Sequence, residues 1–169
     1  TEGKKSREVV EYGIEALKAV WHRGAVDADG KTGDGAGIHL EIPKDFFVEK
    51  IEVTGHTHDG SDICVGMIFL PRNDYSSQES CKTIVESELT KNDFSIYGWR
   101  QVPVNPKVLG EKAFQTMPEI IQVLFKSNDK NLLDKDLERK IYEIRKKIEN
   151  KAFNLSLNNF YICSISAKS

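Results

Sequence analysis

An α/β layered domain is the fold class that the sequence predicts, and three observations support this prediction. About five short apolar segments alternate along the chain with three or four amphipathic helical patterns. Neither an internal repeat nor a low-complexity tract interrupts the alternation. A hydrophobic content of 39% with 30% charged residues is typical of a globular protein that buries a core. A chain of 169 residues has the length of one domain.

Helical periodicity predicts the first and last helices. The first runs roughly from Arg7 to Trp21, and its apolar stripe predicts packing against another element. Its stripe residues lie at i, i+4, i+7 and i+11: Val10, Ile14, Leu17 and Trp21. The last helix begins at Asp134 and is charged on one side. Its inward residues are Leu137, Ile141, Ile144 and Ile148.

Two further helices are predicted from their first residues. Pro43 suits the first position of a short helix that carries Phe46 and Phe47. Ser76 to Glu79 has the spacing of a capping box, which predicts a helix beginning there. Apolar residues of that helix share one face: Cys81, Ile84, Val85 and Leu89.

Five segments are predicted to be strands. One alternates apolar and polar residues from Gly37 to Ile42, and another, from Ile63 to Leu70, is almost continuously apolar. The remaining three segments are Phe94–Val102, Ile120–Phe125 and Phe160–Ser166.

Charge and hydropathy exclude several function classes. Twenty-four Lys and Arg residues against 26 Asp and Glu residues give a net charge of −2, which provides no basic field for nucleic acid or anionic lipid. No segment approaches the ~20 apolar residues of a membrane span, and the N-terminal residues lack the apolar run of a signal peptide. We therefore predict a cytoplasmic protein that binds neither nucleic acid nor membrane.

Cysteine and histidine positions do not predict a metal site. Cys64, Cys81 and Cys163 are widely separated, without a C-x-x-C pair, and each is expected to be a small buried hydrophobic residue. His56 and His58 lie in a polar loop between glycines. They could bind a metal together with Asp59 and Cys64, but a solvated loop is the stronger interpretation.

Five glycines and three aspartates crowd the segment from Gly24 to Gly37. Gly30-Lys31-Thr32 suggests a phosphate-binding loop, but five residues separate Gly24 from Gly30 where that motif has four. The aspartates would also repel a polyphosphate. They suggest a calcium loop as well, yet no glutamate follows before Glu41 to close it. The glycines favour positive φ and the aspartates favour turns, so a rigid irregular loop is expected.

Thr1 could be an N-terminal nucleophile whose own amino group acts as the base. A flexible charged run follows it, from Glu2 to Ser6, whereas a nucleophile must be held rigidly against an oxyanion hole. We therefore interpret Thr1 as the end of a fragment.

Residues Trp21 to Gly37 closely resemble a segment near the N-terminus of the glutaminase domain of bacterial glutamate synthase large subunits, a class II glutamine amidotransferase domain. Further matches follow in the same order and extend the resemblance over nearly the whole chain. They are the segments 65–70, 98–105, 108–110 and 160–164.

The resemblance implies an N-terminal-nucleophile hydrolase fold, an α+β sandwich in which two antiparallel sheets lie between helical layers. It implies that residues 1–169 are part of a single glutamine amidotransferase type 2 domain, lacking the nucleophile strand and the C-terminal part. In the family an N-terminal cysteine attacks the glutamine side-chain amide. None of the three cysteines aligns with that nucleophile, so the chain alone is expected to be inactive and to hold no catalytic residue.

The resemblance also implies site residues and partners. Arg23 and Gly24 are expected beside the glutamine pocket, and His22, Asp27, Asp29 and Asp34 are expected to be structural loop residues. For Arg23, an ion pair with one of those aspartates is the alternative. No cofactor or metal is expected in this chain, whereas FMN and an iron–sulfur cluster are expected in the parent protein. Implied partners are the other domains of the large subunit and, as a further candidate, the small subunit.

Two functions remain open from the sequence. The first is the ammonia-releasing part of a glutamate synthase, which forms glutamate from glutamine and 2-oxoglutarate. The second is a non-catalytic binding or regulatory module on the same scaffold. If the chain is an excised piece, the strands Ile63–Leu70 and Phe160–Ser166 should expose unpaired edges and lower its stability.

Overall fold

The computed structural model describes residues 4–169, which divide into two compact units. Among the described residues, one unit comprises 4–40 and Val104–Met117, and the other comprises Glu41–Pro103 and Pro118–Ser169. The helices are α1 Arg7–Ala19, α2 Lys44–Val53, α3 Tyr75–Lys91, α4 Glu111–Gln115 and α5 Asp134–Asn154. The strands are β1 Cys64–Leu70, β2 Phe94–Gln101, β3 Glu119–Ser127 and β4 Tyr161–Ser166.

The larger unit contains a four-stranded antiparallel sheet in the order β2-β3-β1-β4. Strand β1 lies inside this sheet, because it pairs with β3 from Cys64↔Phe125 to Leu70↔Glu119 and also pairs with β4. The prediction that the segment 63–70 exposes an unpaired edge is therefore wrong. The edge strands among the described residues are β2 and β4. The antiparallel pairing makes the architecture α+β, and a second sheet stays a prediction.

The main core lies between this sheet and the helices α3 and α5. Every second residue of β1, including Ile68 and Leu70, points to that side, as the period of two in a strand requires. Fully buried residues of β3 and the two helices complete this core: Val123, Phe125, Val85, Leu89, Ile141 and Ile148. Phe125 contacts Phe94 edge to face, with 5.5 Å between the ring centroids.

The opposite face of the sheet is covered in part by α2. Phe47 and Ile51 of that helix are buried against Val65, Tyr97 and Leu124. A short helix carrying Phe46 and Phe47 was predicted and is confirmed, although Pro43 occupies its cap position and not its first turn.

Several predicted boundaries differ from the structure. Helix α1 ends at Ala19, and Trp21 lies in a 3₁₀ turn. No residue of α1 is buried, although Val10 and Ile14 of its apolar stripe are half-buried. Helix α3 begins at Tyr75, because the Asp74 carboxylate accepts the hydrogen bond from the Ser77 amide. The predicted capping box at Ser76 is therefore wrong.

The predicted strand from Gly37 to Ile42 is also wrong. Residues 37–41 form no regular element, and Ile38 and Leu40 are each 45% exposed. Alternation alone does not make a strand, because a strand needs a partner for its backbone hydrogen bonds. The other four predicted strands and the helix from Asp134 are confirmed to within about two residues. Within residues 4–169, no helix combines the length and the apolar character that crossing a bilayer requires.

Candidate functional site

Residues 24–34 of the smaller unit form a short hairpin, here called the glycine hairpin. Val26 and Gly33 form an antiparallel bridge, and the Asp27 amide donates to the Thr32 carbonyl oxygen at 2.8 Å. The turn closes where the Gly30 amide donates to the Asp27 carbonyl oxygen at 2.9 Å. Gly30 has φ of +68°, a conformation that glycine adopts without steric cost. The segment predicted to be irregular therefore contains a small ordered hairpin.

The Asp29 carboxylate organises the tip of the hairpin. One oxygen accepts the Lys31 and Thr32 amides at 2.9 and 2.7 Å, and the other accepts the Thr32 hydroxyl at 2.6 Å. These bonds, above all that from the Thr32 hydroxyl, lower the pKa of Asp29 to about 2. Lowering this pKa favours the ionised carboxylate, as expected for a structural turn residue.

The tip should therefore keep its hydrogen bonds in acid. Because the pKa of about 2 lies below the ordinary value, the Asp29 bonds stabilise the folded tip above pH ~4 and this stabilisation disappears as the pH falls through 2. Carbon-13 NMR of the side-chain carboxyl should give a midpoint near pH 2, with an Asp29→Asn sample assigning the resonance. A midpoint of about 4 would contradict the described hydrogen bonds.

The base of the hairpin holds Arg23 and Gly24. The Gly24 amide donates to the Trp21 carbonyl oxygen at 3.0 Å, which closes the 3₁₀ turn Trp21–Arg23. A side chain at position 24 would approach the Trp21 oxygen to 3.3 Å and Asp34 Oδ1 to 3.5 Å, so the two ends of the hairpin meet closely at this glycine. A Cβ atom at position 24 would therefore require the Trp21 carbonyl oxygen to shift by a few tenths of an ångström.

Arg23 is exposed, and within residues 4–169 it forms no salt bridge to Asp27, Asp29 or Asp34. The alternative interpretation, a structural ion pair with one of these aspartates, is therefore not realised.

The remaining predicted loop residues make structural contacts. The His22 ring Nδ1 lies 3.1 Å from the Ala19 carbonyl oxygen and bonds to the end of α1. Asp27 Oδ1 accepts its neighbour's amide at 2.6 Å, while Asp27 Oδ2 lies 2.6 Å from Lys112 Nζ. Asp34 lies at the base beside Gly24.

Sequence reasoning missed the residues that touch the tip from far along the chain. Lys112 is 85 residues from Asp27 along the chain, and its Nζ lies 2.6 Å from Asp27 Oδ2. A Cβ atom at Gly110 would overlap the Asp29 carboxylate and Thr32. No local pattern marks such a contact, although glycine at the start of a helix is a weak signal of close approach.

A second polar cluster, in the larger unit, surrounds Tyr97. The rings of His56 and His58 lie 6.1 and 6.4 Å from the Tyr97 ring, and the Tyr97 hydroxyl donates to Asp59 at 3.5 Å. The Asp59 carboxylate lies 2.6 Å from Lys126 Nζ, and this hydrogen bond holds the pKa of Asp59 well below its usual range. Over residues 4–169 no three His, Cys, Asp or Glu side chains are grouped to hold a metal ion.

None of the three cysteines has the environment of a nucleophile. Burial raises the pKa of the Cys64 thiol far above its usual range and that of Cys81 to about 11. Cys163 is exposed, which corrects the prediction that all three are buried, because a bulge in β4 beside it breaks the alternation. Thr1 lies outside the described residues.

Comparison with known proteins identifies the class. The family model for class-II glutamine amidotransferases matches residues 1–169, and the chain belongs to this family. The large chain of an NADPH glutamate synthase from Azospirillum brasilense is 52% identical over 168 residues, which are 99% of this chain and 11% of that protein.

Two further relatives are less similar to this chain. Ferredoxin-dependent glutamate synthase 1 of Arabidopsis thaliana is 40% identical over 163 residues, covering 95% of this chain and 10% of that protein. A ferredoxin-dependent glutamate synthase of Pyropia yezoensis is 38% identical over 166 residues, covering 95% of this chain and 10% of that protein. The chain therefore spans about a tenth of the length of the curated relatives it matches.

Proposed function

We propose that this chain is part of the glutamine-hydrolysing domain of a glutamate synthase, which forms glutamate from glutamine and 2-oxoglutarate. The observation that carries the proposal is the family match over residues 1–169 together with 52% identity to a glutamate synthase large chain. Glutamine is then the substrate, and ammonia released from its side chain is the product passed on.

Within this domain Arg23 and Gly24 lie beside the glutamine pocket. The exposed guanidinium of Arg23 supports this role, because it has no ion-pair partner among the described residues and suits polar recognition of glutamine. Gly24 allows the backbone to turn tightly next to Arg23. His22, Asp27, Asp29 and Asp34 hold the loop without touching substrate.

The nucleophile lies in another part of the full-length protein. The cysteines of this chain are unsuited to the role, because two are buried with raised thiol pKa values and the third is not activated by a neighbouring histidine. The names of the relatives, which specify NADPH or ferredoxin, support FMN and an iron–sulfur cluster in other domains of the parent protein. Its large-subunit domains, and a small subunit as a further candidate, are then the partners in the cytoplasm.

Assay of the full-length protein that contains this sequence tests the proposal. With glutamine alone we expect release of ammonia and glutamate, and with 2-oxoglutarate and an electron donor we expect two glutamates per glutamine consumed. Glutamine that binds in calorimetry without any turnover would favour the non-catalytic module instead.

The isolated chain of 169 residues should not hydrolyse glutamine. No described cysteine is both accessible and activated, so the thioester step cannot take place. Ammonia release should equal the buffer blank, and it should be unchanged in a triple variant with Cys64, Cys81 and Cys163 replaced by serine. Ammonia release that disappears in this variant would contradict the assignment.

A further inference from the structure

The tip of the glycine hairpin is held from a distant part of the sequence, within the same compact unit. Lys112 Nζ lies 2.6 Å from Asp27 Oδ2, and the backbone at Gly110 lies against the Asp29 carboxylate and Thr32. Both contacts come from the start of α4, so one short segment, residues 110–112, contacts two aspartates of the turn. We call this segment the tip clamp.

Gly110 makes this approach sterically allowed. A Cβ atom there would overlap the Thr32 hydroxyl and the Asp29 carboxylate, and it would lie 2.6 Å from the Thr32 backbone nitrogen. Backbone atoms cannot move aside as the end of a flexible side chain can, so even alanine would push the tip away. The φ of Gly110 is −70°, so the need for glycine arises from contact with the hairpin and not from backbone conformation.

The tip and the base of the hairpin are mechanically connected. The Val26↔Gly33 bridge and the Asp27–Thr32 hydrogen bond tie the two arms together, and the arms come close where Gly24 lies beside Asp34. A displacement of the tip therefore tilts the arm that carries Arg23 and Gly24, because only three residues lie between Arg23 and Asp27, and one of them, Val26, forms the bridge.

We propose that Gly110 and Lys112 are positioning residues for the Arg23–Gly24 side of the glutamine pocket. This inference rests on the proposed function. The clamp does not touch glutamine. It fixes the hairpin in one place, so that the arginine is already oriented when the substrate arrives and little ordering entropy is lost on binding.

The test uses the full-length protein and measures kcat and KM for glutamine hydrolysis. Gly110→Ala is expected to raise KM about tenfold, because the hairpin must move. Lys112→Met should raise KM about threefold, which corresponds to the free energy that an exposed ion pair contributes. Lys112→Arg should keep KM within about twofold of wild type, because arginine can keep the single contact with Asp27. A purely structural role would lower the active fraction and hence kcat, and would leave KM unchanged.

Lys107→Met is the matched control. Lys107 lies five residues before Lys112, and its side chain forms no ion pair within residues 4–169. Limited trypsin digestion with mass spectrometry supplies a readout independent of activity: cleavage after Lys31, at the hairpin tip, should be faster in Gly110→Ala and Lys112→Met and unchanged in Lys107→Met.

The outcomes separate this inference from the proposed function. Glutamine hydrolysis with wild-type KM and wild-type cleavage in both clamp variants overturns the inference and leaves the function standing. Equal effects of Lys107→Met and Lys112→Met also overturn it. A full-length wild-type protein that does not hydrolyse glutamine overturns the proposed function, and the positioning role with it.

Discussion

Replacing Arg23 by alanine in the full-length protein is expected to lower kcat/KM for glutamine hydrolysis about a hundredfold. The guanidinium of Arg23 is exposed and unpaired among residues 4–169, so its loss should leave the folded structure intact and remove only a contact made to a ligand. Arg23→Lys should recover little of the activity, because a single ammonium cannot reproduce a planar fork of donors. Steady-state kinetics with glutamine as the only substrate measures the effect.

Arg7→Ala is the control for this substitution. Arg7 belongs to the same compact unit and is also exposed, but its guanidinium is bonded to Glu11 one helical turn away at 3.1 Å. We expect wild-type kinetics from Arg7→Ala, as for most exposed i,i+4 pairs. An Arg23→Ala enzyme with wild-type kcat/KM would remove Arg23 from the pocket and make it an ordinary surface residue.

The second large effect concerns the ion pair between α3 and α5. Glu88 is buried, with a side chain 6% exposed, and Lys151 binds its carboxylate from the other helix. Lys151→Met leaves that carboxylate buried without its cation, which should cost about 3 kcal/mol of unfolding free energy. Hydrogen exchange at the amides of α3 and α5 in the full-length protein should accelerate by about two orders of magnitude.

Two further variants test whether the loss of this ion pair causes the faster exchange. Lys135→Met removes an exposed charge from the same α5 helix and should leave the exchange rates unchanged. Glu88→Leu combined with Lys151→Met removes both charges and should restore much of the stability, because well-packed apolar residues often replace a buried ion pair without loss. A Lys151→Met protein that exchanges like wild type would mean that water solvates Glu88 in the folded state.

The larger unit was mostly predictable from local patterns. The Ile63–Leu70 run and the α5 stripe Leu137, Ile141 and Ile148 are dominated by burial, and burial leaves a periodic signal in the sequence. Strand order and edge positions were not predictable, since they depend on pairing between distant segments. For this reason the predicted exposed edge at β1 is wrong, and the alternation at Gly37–Ile42 gave no strand.

The candidate site was predictable only in part. Glycine and aspartate content marked the hairpin, because turns need those residue types, and the resemblance pointed to Arg23 and Gly24. The tip clamp could not be predicted from the sequence, since an interaction between Asp27 and Lys112 leaves no periodic pattern in either segment. The predicted burial of Cys163 was also wrong, because a β-bulge shifts the alternation of the strand by one residue and no local sequence pattern marks the bulge.

Covalent labelling with a diazoketone analogue of glutamine tests the central claim most directly, which is that this chain belongs to a glutamine-hydrolysing domain whose nucleophile is none of its own cysteines. The full-length protein would be treated with the analogue, assayed for ammonia release from glutamine, and digested for mass spectrometry. We predict complete loss of hydrolysis with a single labelled cysteine other than Cys64, Cys81 and Cys163, and protection by excess glutamine. A label on one of those three cysteines that accounts for the lost activity, or no hydrolysis before treatment, would contradict it.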